Sequence, residues 1–110
     1  MKSLLKACIP VAIGSDGPVN PFLNLFFAVT HPLRPSDPLT LEEALIAYTA
    51  TSAFAESEEK NKGTLTAGKL ADLAVLSQDI FKVPPPALMS TTSLLTLIDG
   101  KIAYDAGVIR

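Results

Sequence analysis

A chain of 110 residues, 48% of them hydrophobic, is long enough for one domain with a core of its own. Its formal net charge is −2, and its only charged cluster, Glu56, Glu58, Glu59, Lys60 and Lys62, nearly cancels, so no basic patch is offered to nucleic acid. The single cysteine, Cys8, excludes an intrachain disulfide and fits a cytoplasmic setting; Lys6 and Gly14 break up the apolar N-terminal run, leaving it too short for a signal peptide or a membrane span. The mean hydropathy of +0.35 suits a segment with more apolar surface than it covers alone.

Taken in chain order, residues 3–7 read as the end of a helix. Residues 9–13 are apolar and mostly β-branched, which predicts a short strand buried on both faces, as in a parallel sheet. Cys8 at its head is expected to be a small buried side chain. The turn cluster Gly14-Ser15-Asp16-Gly17-Pro18 ends the strand. Asn20 and Pro21 then suit the N-cap and first position of a helix over residues 21–30, with Phe22, Leu25, Phe26 and Val29 on one face and His31-Pro32 as its stop.

Thr40-Leu41-Glu42-Glu43 is a capping box, and the spacing of Leu41, Ala44, Leu45, Tyr48, Ser52 and Ala55 predicts one helix over residues 40–56. The period changes near residue 61. Residues 70–76 read as a strand entered through Thr66-Ala67-Gly68-Lys69. The proline-rich stretch 83–89 reads as a connector ending in a helical turn. Residues 93–98 and 101–104 read as a hairpin about Asp99-Gly100, since both turn residues tolerate positive φ.

Three stretches, in order, resemble the amidohydrolase superfamily, in the branch called amidohydrolase 3 or YtcJ-like. Pro10-Val11-Ala12-Ile13-Gly14-Ser15-Asp16-Gly17-Pro18-Val19 is similar to the eighth barrel strand of that family. Leu39-Thr40-Leu41-Glu42-Glu43-Ala44-Leu45-Ile46-Ala47-Tyr48-Thr49 is similar to the helix that follows. Lys62-Gly63-Thr64-Leu65-Thr66-Ala67-Gly68-Lys69-Leu70-Ala71-Asp72-Leu73-Ala74-Val75-Leu76 resembles the re-entry into the family's small β-sandwich domain, and Asp99-Gly100-Lys101-Ile102-Ala103-Tyr104 resembles its closing hairpin.

The resemblance implies a fold in two parts. Residues 1–60 would be an α/β remnant, the last strand and helices of a (β/α)8 barrel, and residues 61–110 the antiparallel C-terminal part of a composite β-sandwich; the isolated fragment would be α+β. It implies hydrolysis of carbon–nitrogen bonds other than peptide bonds, with a divalent metal, zinc or similar, activating water. By position, the roles of catalytic base and metal ligand fall on Asp16. A barrel needs ~250 residues, and the family's His-x-His motif and middle-strand ligands have no counterpart here. The fragment is therefore expected to hold no metal tightly and to be inactive alone.

Read without the resemblance, Asp16 is a turn aspartate in Ser-Asp-Gly-Pro, and His31 a helix-ending residue. Gly68 and Asp72 read as structural, Asp72 bonding the backbone at a strand entry. Lys69 reads as a solvated charge, and Thr91-Thr92-Ser93 as a strand start. Two functions follow: part of a hydrolase, truncated or one chain of a split enzyme, or a non-catalytic oligomerising domain. The expected partner is a second copy, giving a dimer, or a chain supplying the rest of the barrel. The apolar edge Leu94-Leu95-Thr96-Leu97-Ile98 and the lone strand at residues 9–13 are the surfaces expected to recruit it.

Overall fold

A computed structural model describes residues 1–17 and 19–109; Pro18, in the predicted turn cluster, lies outside them. Four helices come first: α1 (Lys2–Lys6), α2 (Pro21–Thr30), α3 (Leu41–Tyr48) and α4 (Ala50–Ala55). A sheet of β1 (Leu73–Leu76), β2 (Ser93–Ile98) and β3 (Lys101–Asp105) follows, with a short 3-10 helix at Pro85–Ser90 between β1 and β2. The molecule is α+β.

The predicted caps set the helix starts. The Asn20 side-chain oxygen accepts the amides of Phe22 and Leu23, both at 3.1 Å, and Pro21 fills the first turn. His31 ends α2 in the left-handed region at φ 42°, its N–H donating to the Phe27 carbonyl at 2.8 Å. Leu25 and Ala28 are buried; Ala28 lets the following loop come close, so that the Leu39 N–H reaches its carbonyl at 3.0 Å. Leu25, Ala28, Leu39 and Ala44 form the core, with Leu5, Ile13, Phe22 and Tyr48 packed around it.

At α3 the capping box closes in both directions. The Glu43 N–H donates to Thr40 Oγ1 at 3.1 Å, and the Thr40 N–H to Glu43 Oε2 at 2.8 Å. Lys2 Nζ reaches the same carboxylate oxygen at 3.1 Å and ties α1 to α3. The single helix predicted over residues 40–56 is broken at Thr49, where φ −120° and ψ −81° leave the helical region. The Thr49 hydroxyl donates to the Leu45 carbonyl at 2.7 Å. The run Thr49-Ala50-Thr51-Ser52 concentrates hydroxyls that compete with the helical ladder.

No strand forms at residues 9–13. A strand needs a neighbour to take its backbone donors and acceptors, and all three strands of the described residues lie in one sheet elsewhere. Nor is this segment buried on both faces: Ile9 is 49% exposed. Cys8 also differs from expectation, being exposed at φ 58°. It occupies the left-handed position that closes α1: its N–H donates to the Leu5 carbonyl at 2.9 Å, and the Ile9 N–H to the Leu4 carbonyl at 3.0 Å.

The sheet is antiparallel in the order β1-β2-β3. The hairpin turns where predicted, with Asp99 at φ 51° and Gly100 at φ 72°. The segment predicted as an edge, residues 94–98, belongs to the middle strand; the edges are β1 and β3. The strand predicted from residue 70 starts at Leu73, because the Leu70 N–H is taken by the Asn61 carbonyl at 2.8 Å and Asp72 is held by the hairpin turn.

Two devices join the helical part to the sheet. Leu88 of the 3-10 helix, which packs on α2, is buried; Gln78 Nε2 holds this turn through Ala87 O and Thr91 Oγ1, both at 2.8 Å. Gly63, at φ +93°, lies against α4 so closely that an added Cβ would stand 2.7 Å from Ala53 Cβ. Lys69 is not merely a solvated charge: Nζ donates to the Glu59 carbonyl at 2.6 Å and gathers in the connecting loop. No helix among the described residues is long and apolar enough to cross a membrane.

Candidate functional site

Asp16 stands exposed on the bend that follows residues 9–13. What positions it is the break at Thr49. The break removes the Ala47 carbonyl from the regular helical ladder. That carbonyl accepts the Ile13 N–H at 3.0 Å and the Ser52 hydroxyl at 3.0 Å. The same hydroxyl lies 3.3 Å from the Ile13 carbonyl, so both backbone groups of Ile13, three residues before Asp16, are tied to the α3–α4 junction. Sequence reasoning assigned Ser52 to an apolar helix face and missed this role; the hydroxyl cluster around Thr49 was the signal that could have found it.

Within the bend, the Gly17 N–H approaches the Ser15 hydroxyl at 3.4 Å.

A cleft of about 640 Å³ opens beside this segment, lined by Ala12, Ile13, Gly14, Asn24, Phe27 and His31, among others. Asp16 is not among its lining residues, so the cleft does not bring His31 and Asp16 together. His31 Nδ1 accepts the Arg34 N–H at 3.1 Å, the bond of a residue that ends a helix and starts a loop. Among the described residues Asn24 Nδ2, buried in the cleft wall, finds no hydrogen-bond partner. A larger apolar trough of about 980 Å³ runs between the helices and the sheet, past Phe22, Leu45, Tyr48, Leu73, Leu76 and Phe81.

Metal binding calls for three or four converging ligands. Among the described residues no three His, Cys, Asp or Glu side chains are grouped so as to hold an ion. The residues present therefore do not fit a metal centre by themselves.

Asp72 and Gly68 are structural, as the sequence suggested. Asp72 Oδ1 accepts the Asp99 N–H at 2.8 Å, and Gly68 turns at φ +93°. Thr91 is buried and bonded to Gln78 just before β2 begins.

The arrangement of these elements has a counterpart among known structures. The fold superposes on an amidohydrolase from Thermotoga maritima with a TM-score of 0.69 at 26% identity, covering 93% of this chain and 24% of that one. A family model described as the amidohydrolase family matches residues 1–104, and the chain belongs to that family. An N-substituted formamide deformylase from Arthrobacter pascens is 32% identical over 114 residues, 96% of this chain and 21% of its own length. The YtcJ protein of Bacillus subtilis is 33% identical over 94% of this chain and 22% of its own. An imidazolonepropionase from Thermoplasma acidophilum is 33% identical over 96% of this chain and 26% of its own. The chain thus spans about a fifth to a quarter of the proteins it matches.

Proposed function

We propose that this chain is one portion of a hydrolase acting on carbon–nitrogen bonds other than peptide bonds, to which it contributes Asp16. In this reading residues 1–60 are the last strand position and helices of a barrel, and residues 61–110 part of a composite β-sandwich. The observation that carries it is the tethering of Ile13 to Ala47 and Ser52, which holds the bend bearing Asp16 while leaving its carboxylate exposed. In a completed site Asp16 would accept a proton from the attacking water and return it to the leaving nitrogen. The substrate class is supported by the relatives' names, which include a formamide deformylase.

One carboxylate without neighbouring ligands gives no turnover. The isolated chain is therefore inactive against N-acyl amides and cyclic ureas, and activity returns only with a chain that supplies the remaining strands. Assays across such a panel, with Asp16→Asn as the control, test this. Turnover by the chain alone that Asp16→Asn abolishes would show a complete site here; reconstituted activity indifferent to Asp16→Asn would remove Asp16 from the chemistry.

The second reading, an oligomerising domain without catalysis, is favoured by one observation: Ile98, Ile102 and Tyr104 are all more than half exposed on one hairpin. Such apolar surface promotes association. On either reading the partner is a protein chain.

A further inference from the structure

The chain contains two aspartate–glycine pairs, Asp16-Gly17 and Asp99-Gly100. In such a pair the glycine nitrogen can attack the carboxyl carbon of the aspartate before it, and glycine has no Cβ to obstruct the five-membered ring that forms. The two pairs share this chemistry in the sequence. The fold treats them differently.

Asp99-Gly100 is locked into the hairpin tip, with both residues at positive φ, 51° and 72°. The Asp99 N–H donates to the Asp72 carboxylate at 2.8 Å, and the Gly100 N–H to the Ala71 carbonyl at 3.2 Å. The second bond engages the nitrogen that would attack. Ala71 also packs against the turn: a Cβ built on Gly100 would stand 3.8 Å from Ala71 Cβ.

Asp16 and Gly17 lie in a bend outside any helix or strand, and both are exposed, as are Gly14 and Ser15 before them. The Gly17 N–H stands 3.4 Å from the Ser15 hydroxyl, beyond the usual N–H···O range of about 2.7–3.2 Å. A Cβ built on Gly17 would meet nothing within 4 Å, so ring closure there has room.

We propose that Asp16-Gly17 is a modification site, at which Asp16 converts spontaneously to isoaspartate while the hairpin holds Asp99 back. The Gly17 nitrogen bonds to the Asp16 carboxyl carbon; its proton and a carboxyl oxygen leave together as water, giving a cyclic imide. Water then opens the ring at either carbonyl. One opening returns aspartate; the other routes the main chain through the former side chain, one methylene longer, and leaves the carboxylate directly on the Cα. No oxidant or co-reactant is consumed. The product displaces the carboxylate that this chain would contribute to a hydrolase; that consequence rests on the hydrolase reading, whereas the modification does not.

The folded chain and the chain in urea are aged side by side in mildly acidic buffer at body temperature, with circular dichroism to confirm that the first stays folded. A protease that cuts before aspartate but not before isoaspartate, followed by mass spectrometry of the fragments, reads each residue. In the folded chain isoaspartate should accumulate at residue 16 at close to its rate in urea. At residue 99 it should form at least about tenfold more slowly than in urea, since two hydrogen bonds must open first. A transient species lighter by one water should precede the product, and Asp16→Glu, which would need a six-membered ring, should abolish it at residue 16. Folding that slows residue 16 as much as residue 99 overturns the proposal, as does equal accumulation at both residues in the folded chain. The hydrolase reading, tested by reconstituted activity, is untouched by either result.

Discussion

The Asp72 carboxylate accepts the N–H of Asp99 at 2.8 Å, across 27 positions of sequence. The bond pins the tip of the β2–β3 hairpin to the entrance of β1. The Gly100 N–H adds a second tie, donating to the Ala71 carbonyl at 3.2 Å. Asp72→Ala should therefore cost about 1 kcal/mol, the usual net worth of one such bond near the surface, read as a lower urea midpoint. Asp72→Asn keeps an acceptor and should lose less; equal stability of all three would show that the turn holds itself.

Glu43 gives the chain an acid sensitivity of predictable sign. The Thr40 amide and then the Lys2 ammonium hold its carboxyl below the usual value of 4.5. A carboxyl whose folded pKa lies below its unfolded one contributes stability that is complete above the unfolded value and is lost as pH falls through the folded one. Urea midpoints of the wild type should therefore fall below pH 4.5 more steeply than those of Glu43→Gln. Thr40→Ala removes the other half of the box and should cost about 1 kcal/mol at pH 7.

Cys8 holds a left-handed backbone at φ 58° that favours glycine. Cys8→Gly should raise stability by about 0.5 kcal/mol, net of glycine's greater freedom when unfolded. A lower melting temperature would mean that the thiol makes contacts worth more than the strain.

Ser52→Ala leaves Ile13 with one tie to the helices in place of two. Amide exchange at residues 13–17 should speed up while α2 and the sheet keep their protection. Unchanged exchange would assign the tether to the Ile13–Ala47 bond alone.

After zinc exposure and desalting, elemental analysis should find far less than one zinc per chain, since too few ligands converge for capture. One tightly held zinc per chain, lost in Asp16→Ala, would mean that copies share ligands across an interface.

What local chemistry specifies was legible in the amino-acid order. The Asn20 and Thr40 caps, the His31 stop and the Asp99-Gly100 turn each depend on side chains or φ preferences within a few residues, and each appears where the residues imply. Family membership was legible for the same reason, as an ordered set of short motifs. The misses share a different cause. Residues 9–13 have the composition of a buried strand, but a strand exists only where another takes its backbone bonds, and these residues turn instead to Ala47 and Ser52. The helix over residues 40–56 has a continuous apolar face, yet it breaks at Thr49, and the carbonyl so released is claimed by Ile13 from 34 residues upstream. Likewise β2, with Leu94, Leu95, Leu97 and Ile98, was read as an edge; strand order is set by long-range pairing, and it placed β2 in the middle and left β1 and β3 on the outside.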